Sequence, residues 1–211
     1  MRFNFKNILY LTAFICVSFA YAGASEDFFR AVNIDNDRTV SSLLARGFDP
    51  NTRDEGGQVG LFLAMREDSP KVATALLAHP DVKVDAANGV GETPLMMAAL
   101  RGRLDWTQRL IERGGQVQRE GWTPLHYAAS GPEPKVVTLL LDRGAAINAL
   151  SPNRTTPLMM AARYGDEASA DLLLARGADA RLRNEPGLSA ADFARLASRD
   201  ALAERLERRA R

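Results

Sequence analysis

Cysteine is almost missing from this chain of 211 residues, and the one that occurs, Cys16, lies near its N-terminus. Everything beyond it must be held by packing alone, because neither a disulfide framework nor a cysteine-based zinc site can be built. Histidine is nearly as scarce. His79 and His126 are the two present, and neither has a second histidine at ligand spacing, so no metal-ligand set is legible. Lysine is confined to positions 6, 71, 83 and 135, and 27 basic residues face 26 acidic ones. That balance removes the basic excess that a nucleic-acid binder concentrates on one face. The apolar stretch near the N-terminus runs only from Ile8 to Ala20. It falls short of the ~20 apolar residues that a membrane-spanning helix needs.

That stretch has a different use. Arg2 and Lys6 give it a basic start, and Ala20-Tyr21-Ala22 places small residues at the two positions that a signal peptidase reads. Residues 1–22 are therefore expected to be a cleaved secretory signal with Gly23 as the mature start. Cleavage after Ala24, or retention as an uncleaved inner-membrane anchor, are the alternatives. Ile15 stands where a lipoprotein signal needs a small residue before its cysteine, which argues against lipidation. Loss of Arg2 and Lys6 takes the basic count from 27 to 25 against 26 acidic residues, a formal charge of −1. It also removes Cys16, so the mature chain is expected to carry no thiol. The expected location is the periplasm, with the extracellular medium as an alternative.

What the chain has in quantity is itself. Thr93-Pro94-Leu95-Met96-Met97-Ala98-Ala99 returns as Thr123-Pro124-Leu125-His126-Tyr127-Ala128-Ala129 and as Thr156-Pro157-Leu158-Met159-Met160-Ala161-Ala162. The steps from Thr93 to Thr123 to Thr156 fall within the period of roughly 20–50 residues at which each unit buries its apolar face on the next. Threonine at an N-cap accepts a backbone N–H, and proline at the first helical position sacrifices no hydrogen bond. Gly102 and Gly165 are expected to end two of these helices with left-handed backbone, and Pro132 ends the middle one. A second helix follows in each unit. Val136 to Leu141 and Ala170 to Leu174 run into Arg-Gly-Ala at 143–145 and 176–178, while Trp106, Leu110 and Ile111 form the core face of a third before Arg113-Gly114.

The pattern continues outward with lower fidelity. Val59 to Ala64 stands one period before Thr93, and Ser189 to Ala194 one period after Thr156, with Ser189 and Asp192 spaced as a capping box. Six units result: about 25–53, 54–87, 88–118, 119–150, 151–183 and 184–211. The terminal pair act as caps whose outer faces carry charge.

Gly121-Trp122-Thr123-Pro124-Leu125-His126-Tyr127-Ala128-Ala129 matches the ankyrin motif Gly-x-Thr-Pro-Leu-His-x-Ala-Ala in full, and Leu140 to Asn148 is close to the usual repeat ending. Over residues 25–211 the chain resembles an ankyrin-repeat protein of a bacterial, exported type. The resemblance implies an all-α solenoid of about six helix pairs with projecting fingers, and a surface that binds proteins. It implies that His126 hydrogen-bonds nearby backbone. Three departures carry expectations. A short spacing should stunt the finger at Arg119-Glu120. Arg154 replaces an expected glycine and should alter its turn. Gly56-Gly57 should leave the second finger loose.

Catalysis needs converging groups, and none converge here. The glycine-rich stretch at 56–60 lacks the Lys-Ser/Thr of a phosphate loop. No enzyme activity, cofactor or metal is expected. The resemblance points instead to finger tips and outward helix positions as partner contacts: Arg66, Glu92, Leu100, Arg101, Trp122, Asn153, Arg163, Tyr164 and Arg183. Trp, Tyr and Arg dominate binding hot spots because they bury large areas and keep a polar handle. Trp122 and Tyr164 could equally brace neighbouring fingers. The expected partner is another protein, bound by a monomeric chain acting as adaptor or scaffold. An inhibitor or immunity protein and an exported effector are the alternatives.

Overall fold

A computed structural model describes residues 23–211, so the signal expected over residues 1–22 lies outside the described residues. The described residues form twelve α-helices and no strand. Isolated bridges join Arg53 to Val59 and Arg183 to Ser189. They divide into two compact units, one ending at Lys83 and one running from Val84 to Arg211.

The first unit holds α1 (residues 23–33), α2 (Asp37–Ala45), α3 (Gly60–Arg66) and α4 (Pro70–Ala78). Phe28 of α1 is fully buried, its ring centroid 4.8 Å from that of Phe48. A side chain at Gly60 would meet the Phe28 ring at 2.7 Å, which explains why glycine stands in the proline slot at this point of the repeat. Asp35, in left-handed backbone at φ 55°, accepts from the N–H groups of Lys71 and Val72 at 2.9 Å each and so caps α4 from the preceding repeat.

The second unit stacks four helix pairs. They are α5 (Pro94–Leu100) with α6 (Leu104–Glu112), α7 (Pro124–Ser130) with α8 (Pro134–Asp142), α9 (Pro157–Tyr164) with α10 (Glu167–Ala175), and α11 (Ala190–Leu196) with α12 (Asp200–Arg209). Helix starts follow the local chemistry. Thr93 and Thr156 accept from the N–H groups of Met96 and Met159 at 3.3 Å, and the methionine sulfurs accept in return from the threonine N–H groups at 3.4 Å. Ser189 and Asp192 close the same reciprocal box with oxygen acceptors.

The first helices of the inner repeats are buried on nearly every side, whereas the second helices bury one i, i+3 seam. Val40/Leu43, Ala73/Leu76, Thr107/Leu110, Val137/Leu140, Ala170/Leu173 and Ala203/Leu206 all lie in the core. Trp106 and Ile111 do not. Both are half-buried, and the Arg109 guanidinium lies 4.1 Å from the Trp106 ring centre. The expected core tryptophan is displaced because Thr107 occupies the seam position.

Close approach, not backbone freedom, fixes Gly165. Its φ is −85°, so the expected left-handed conformation is absent. A Cβ there would stand 1.9 Å from the Ala129 carbonyl oxygen. Gly131 is similar, with a Cβ 2.7 Å from the Leu100 oxygen. Gly102, by contrast, does take φ +67°. Ala98-Ala99, Ala128-Ala129 and Ala161-Ala162 permit this tight stacking and are all buried.

Candidate functional site

Each finger has a tight turn at its tip. Gly57, Gly91, Gly121, Arg154 and Gly187 occupy equivalent positions, all with positive φ. Arg154 adopts φ 62°, so the arginine preserves the turn that its substitution was expected to alter. The Ser151 N–H donates to Thr155 O at 3.0 Å, and Arg154 N–H to Ser151 O at 2.8 Å. The second finger is not loose either. Asp54 N–H donates to Gln58 O at 2.9 Å, and the Asp54 carboxylate accepts from Gln58 N–H at 2.7 Å, which ties the two glycines into a closed hairpin. The fourth finger is the exception. Among the described residues, 118–122 make no such closing pair, in line with the shortened spacing before it.

Beside that shortened finger the second unit holds a pocket of about 400 Å³, lined by Leu100, Trp122, His126, Tyr127, Ser130, Met160 and Tyr164. Three stacked first helices supply it. Leu100 ends α5, Tyr127 and Ser130 lie on α7, and Met160 and Tyr164 lie on α9. Trp122 leans edge-on against the His126 ring, with centroids 5.2 Å apart.

His126 forms the floor. It is fully buried. Its Nδ1 accepts from Thr123 N–H at 3.2 Å and lies 2.9 Å from Thr123 Oγ1, while Nε2 lies 2.9 Å from Thr155 O. The network assigns the proton to Nε2, which donates to the carbonyl of the next repeat. Burial disfavours the charged ring and lowers its pKa from 6.5 to about 4, so the imidazole is neutral at physiological pH. Tyr127 donates its hydroxyl to Glu92 at 2.9 Å. Burial and then that carboxylate push the phenol above its ordinary range.

The structure brings together Leu100, Trp122 and Tyr164 of the expected contact residues, with Arg101 and Arg163 beside them in sequence. Tyr164 is 55 % exposed, and the Arg163 guanidinium lies 5.1 Å from its ring centre. The other four are engaged within their own neighbourhoods. Glu92 holds Tyr127 and also accepts from Asn88 Nδ2 at 2.8 Å. Asn153 accepts from Ser151 Oγ at 2.6 Å and belongs to its finger turn. Arg183 donates to Gly187 O at 2.7 Å, and Arg66, in the N-terminal unit, to Gln58 and Glu67. Tyr127 and Met160 were not among the expected contacts. Both occupy the second variable position of the Thr-Pro-Leu-x-x-Ala-Ala motif, and that recurrence is the signal that identifies them.

Among the described residues, no group of three or more His, Cys, Asp or Glu side chains could hold a metal, and no helix is long and apolar enough to cross a membrane. The arrangement offers an apolar cleft with charged neighbours.

The family description "Ankyrin repeats (3 copies)" matches residues 28–120 and 113–184. Among characterised relatives, the nuclear factor NF-kappa-B p105 subunit of Gallus gallus is 33% identical over 152 residues, 69% of this chain and 16% of that protein. The transient receptor potential cation channel subfamily A member 1 of Homo sapiens is 30% identical over 167 residues, 75% of this chain and 15% of that protein. The chain therefore spans only a small part of these relatives' lengths. Among solved structures, a chain in the complex of a predatory endopeptidase from Bdellovibrio bacteriovorus with an immunity protein superposes with a TM-score of 0.73. The two are 29% identical, and the match covers 86% of this chain and 97% of that one. With the family match running from residue 28 to residue 184 and the helix pairs stacked as described, the chain belongs to the ankyrin-repeat family.

Proposed function

We propose that this chain is a non-catalytic protein-binding module, exported by residues 1–22 to the periplasm, where as a monomer it docks another protein as adaptor or scaffold. Ankyrin repeats are protein–protein interaction modules, which supports the coarse reading. The observation that carries the finer one is the apolar pocket walled by Leu100, Trp122, Tyr127, Met160 and Tyr164. Aromatic side chains around a concave apolar site are the composition at which binding energy concentrates. Export is supported by the basic start, the short apolar run and Ala20-Tyr21-Ala22. No cofactor, metal or nucleic acid enters this reading.

A second, narrower reading is an immunity-type inhibitor of an exported peptidase. It is favoured by the likeness to a chain of the endopeptidase–immunity complex, which extends over nearly the whole of both chains. One experiment serves both. The tagged chain and its Trp122→Ala/Arg163→Ala variant are used as baits in osmotic-shock fluid from the producing cells. The wild type should enrich a protein that the folded variant loses, and a peptidase among the enriched species, inhibited stoichiometrically by the purified chain, selects the second reading. Equal enrichment by both baits refutes the pocket as the docking site.

A further inference from the structure

Five methionines fall among the described residues, and three of them are sealed. Met65, Met96 and Met159 are 3 %, 1 % and 1 % exposed, while Met97, in the same motif slot as Met160, keeps 8 %. Two of these sulfurs are also occupied, since Met96 and Met159 accept the Thr93 and Thr156 N–H groups at 3.4 Å. Met160 follows Met159 directly and points the other way. It is half-buried and lines the pocket with Trp122 and Tyr164. The helix rotates by about 100° per residue, which is enough to carry one side chain of the pair into the core and the other to the cleft.

We propose that Met160 is a selective site of reversible two-electron oxidation by peroxides, and that its sulfoxide converts the apolar pocket into a polar one. In the step, a sulfur lone pair attacks one oxygen of hydrogen peroxide. The S–O bond forms as the O–O bond breaks, and the departing hydroxide takes the proton of the transferred hydroxyl and leaves as water. Sulfur is oxidised by two electrons and the peroxide is reduced by two. A thiol-dependent methionine sulfoxide reductase reverses the change. Residues 23–211 contain no cysteine to intercept the oxidant. Met65, Met96 and Met159 are reached only through local opening of the repeat stack. A sulfoxide dipole placed in a wall of leucine, tryptophan and tyrosine costs affinity for any apolar group seated there. The chemistry is independent of which protein binds the pocket, and an occupant would shield Met160 from peroxide.

The test uses the chain treated with hydrogen peroxide in native buffer and in denaturing urea, then digested with trypsin and sequenced by mass spectrometry. Residues 155–163 place Met159 and Met160 on one peptide, so the reference lies beside the target. In native buffer Met160 should gain oxygen about tenfold faster than Met65, Met96 and Met159, each of which reacts only on opening, and in urea the rates should converge. Met160→Leu should remove the fast phase. In a Trp106→Phe background, Trp122 emission should move to longer wavelength as Met160 oxidises and return on treatment with the reductase, with the thermal midpoint unchanged. Native oxidation of Met159 as fast as Met160 overturns the proposal. So does a fast Met160 oxidation that leaves Trp122 emission unmoved or unfolds the chain.

Discussion

Acidification should loosen this protein through one residue, His126. Its folded pKa of about 4 lies below the 6.5 of an unhindered imidazole. In acid the unfolded chain therefore takes up the proton first. Stability is fully present above pH 6.5 and is lost progressively as the pH falls toward 4. Between neutrality and pH 5 the linkage integral for those two values comes to about 2 kcal/mol, and it reaches about 3 kcal/mol at pH 4. That is a large share of the stability of a small repeat protein. The source is geometric: the ring is buried, and its Nε2 proton is committed to Thr155 O in the next repeat. A second proton on Nδ1 would break the bond from Thr123 N–H. The assay is urea unfolding followed by far-UV circular dichroism at steps from pH 7.5 to 5, on the wild type and on His126→Gln. The wild type should lose about 2 kcal/mol across that range, and the variant, already weaker at neutral pH, should be nearly flat. Asp192 and Asp179 have lowered pKa values, the first held down chiefly by the Ser189 hydroxyl and the second by Arg181. The stability they contribute is lost as pH falls below the ordinary carboxylate range, outside the tested window. An equal acid loss in the variant, or none in the wild type, refutes the assignment.

Three further outcomes are expected from chemical denaturation. Gly165→Ala forces a Cβ against the Ala129 oxygen and should cost more than about 3 kcal/mol, whereas Gly144→Ala, with nothing within 4 Å but φ +86°, should cost about 1 kcal/mol. Arg154→Gly relieves left-handed backbone at φ 62° and should stabilise by about 1 kcal/mol. The Ser169 hydroxyl is buried without a partner among the described residues, so Ser169→Ala should stabilise by about 1 kcal/mol, and a loss of stability would show that the oxygen is satisfied after all.

The repeat order, the caps and the helical class were legible in the sequence because each is written locally. Thr-Pro at a fixed period states a helix start wherever it occurs, and Arg-Gly-Ala states an end. What escaped depends on neighbours a repeat away. Gly165 reads as a left-handed terminator, yet the reason for it is a carbonyl in the preceding repeat, at Ala129. Gly56-Gly57 reads as slack until the Asp54 carboxylate is seen to gather it. Trp106 reads as core by residue type, although the i, i+3 seam assigns that place to Thr107.

The same holds for the candidate site. Residue type and outward position pointed to Leu100, Trp122 and Tyr164, and the structure gathers these three around one cleft. Tyr127 and Met160 complete it from the variable slot of the motif, which a reading centred on the repeated letters passes over. Polar links between repeats were also hidden. Asn51 accepts from Lys83 N–H, Asp85 from Gln116 N–H and Asn148 from Asp179 N–H, at 2.7, 2.9 and 3.0 Å. Each joins a loop to the loop one period on, a spacing that shows no local pattern.

The proposed role depends on the pocket of the second unit being the surface that receives a protein. The most direct measurement is the equilibrium affinity of the purified chain for the protein it enriches, compared with that of Tyr164→Ala, whose ring is 55 % exposed and carries little of the core. Binding should weaken by about 2 kcal/mol with the thermal midpoint held within a few degrees. An affinity equal to that of the wild type would contradict the pocket as the docking surface.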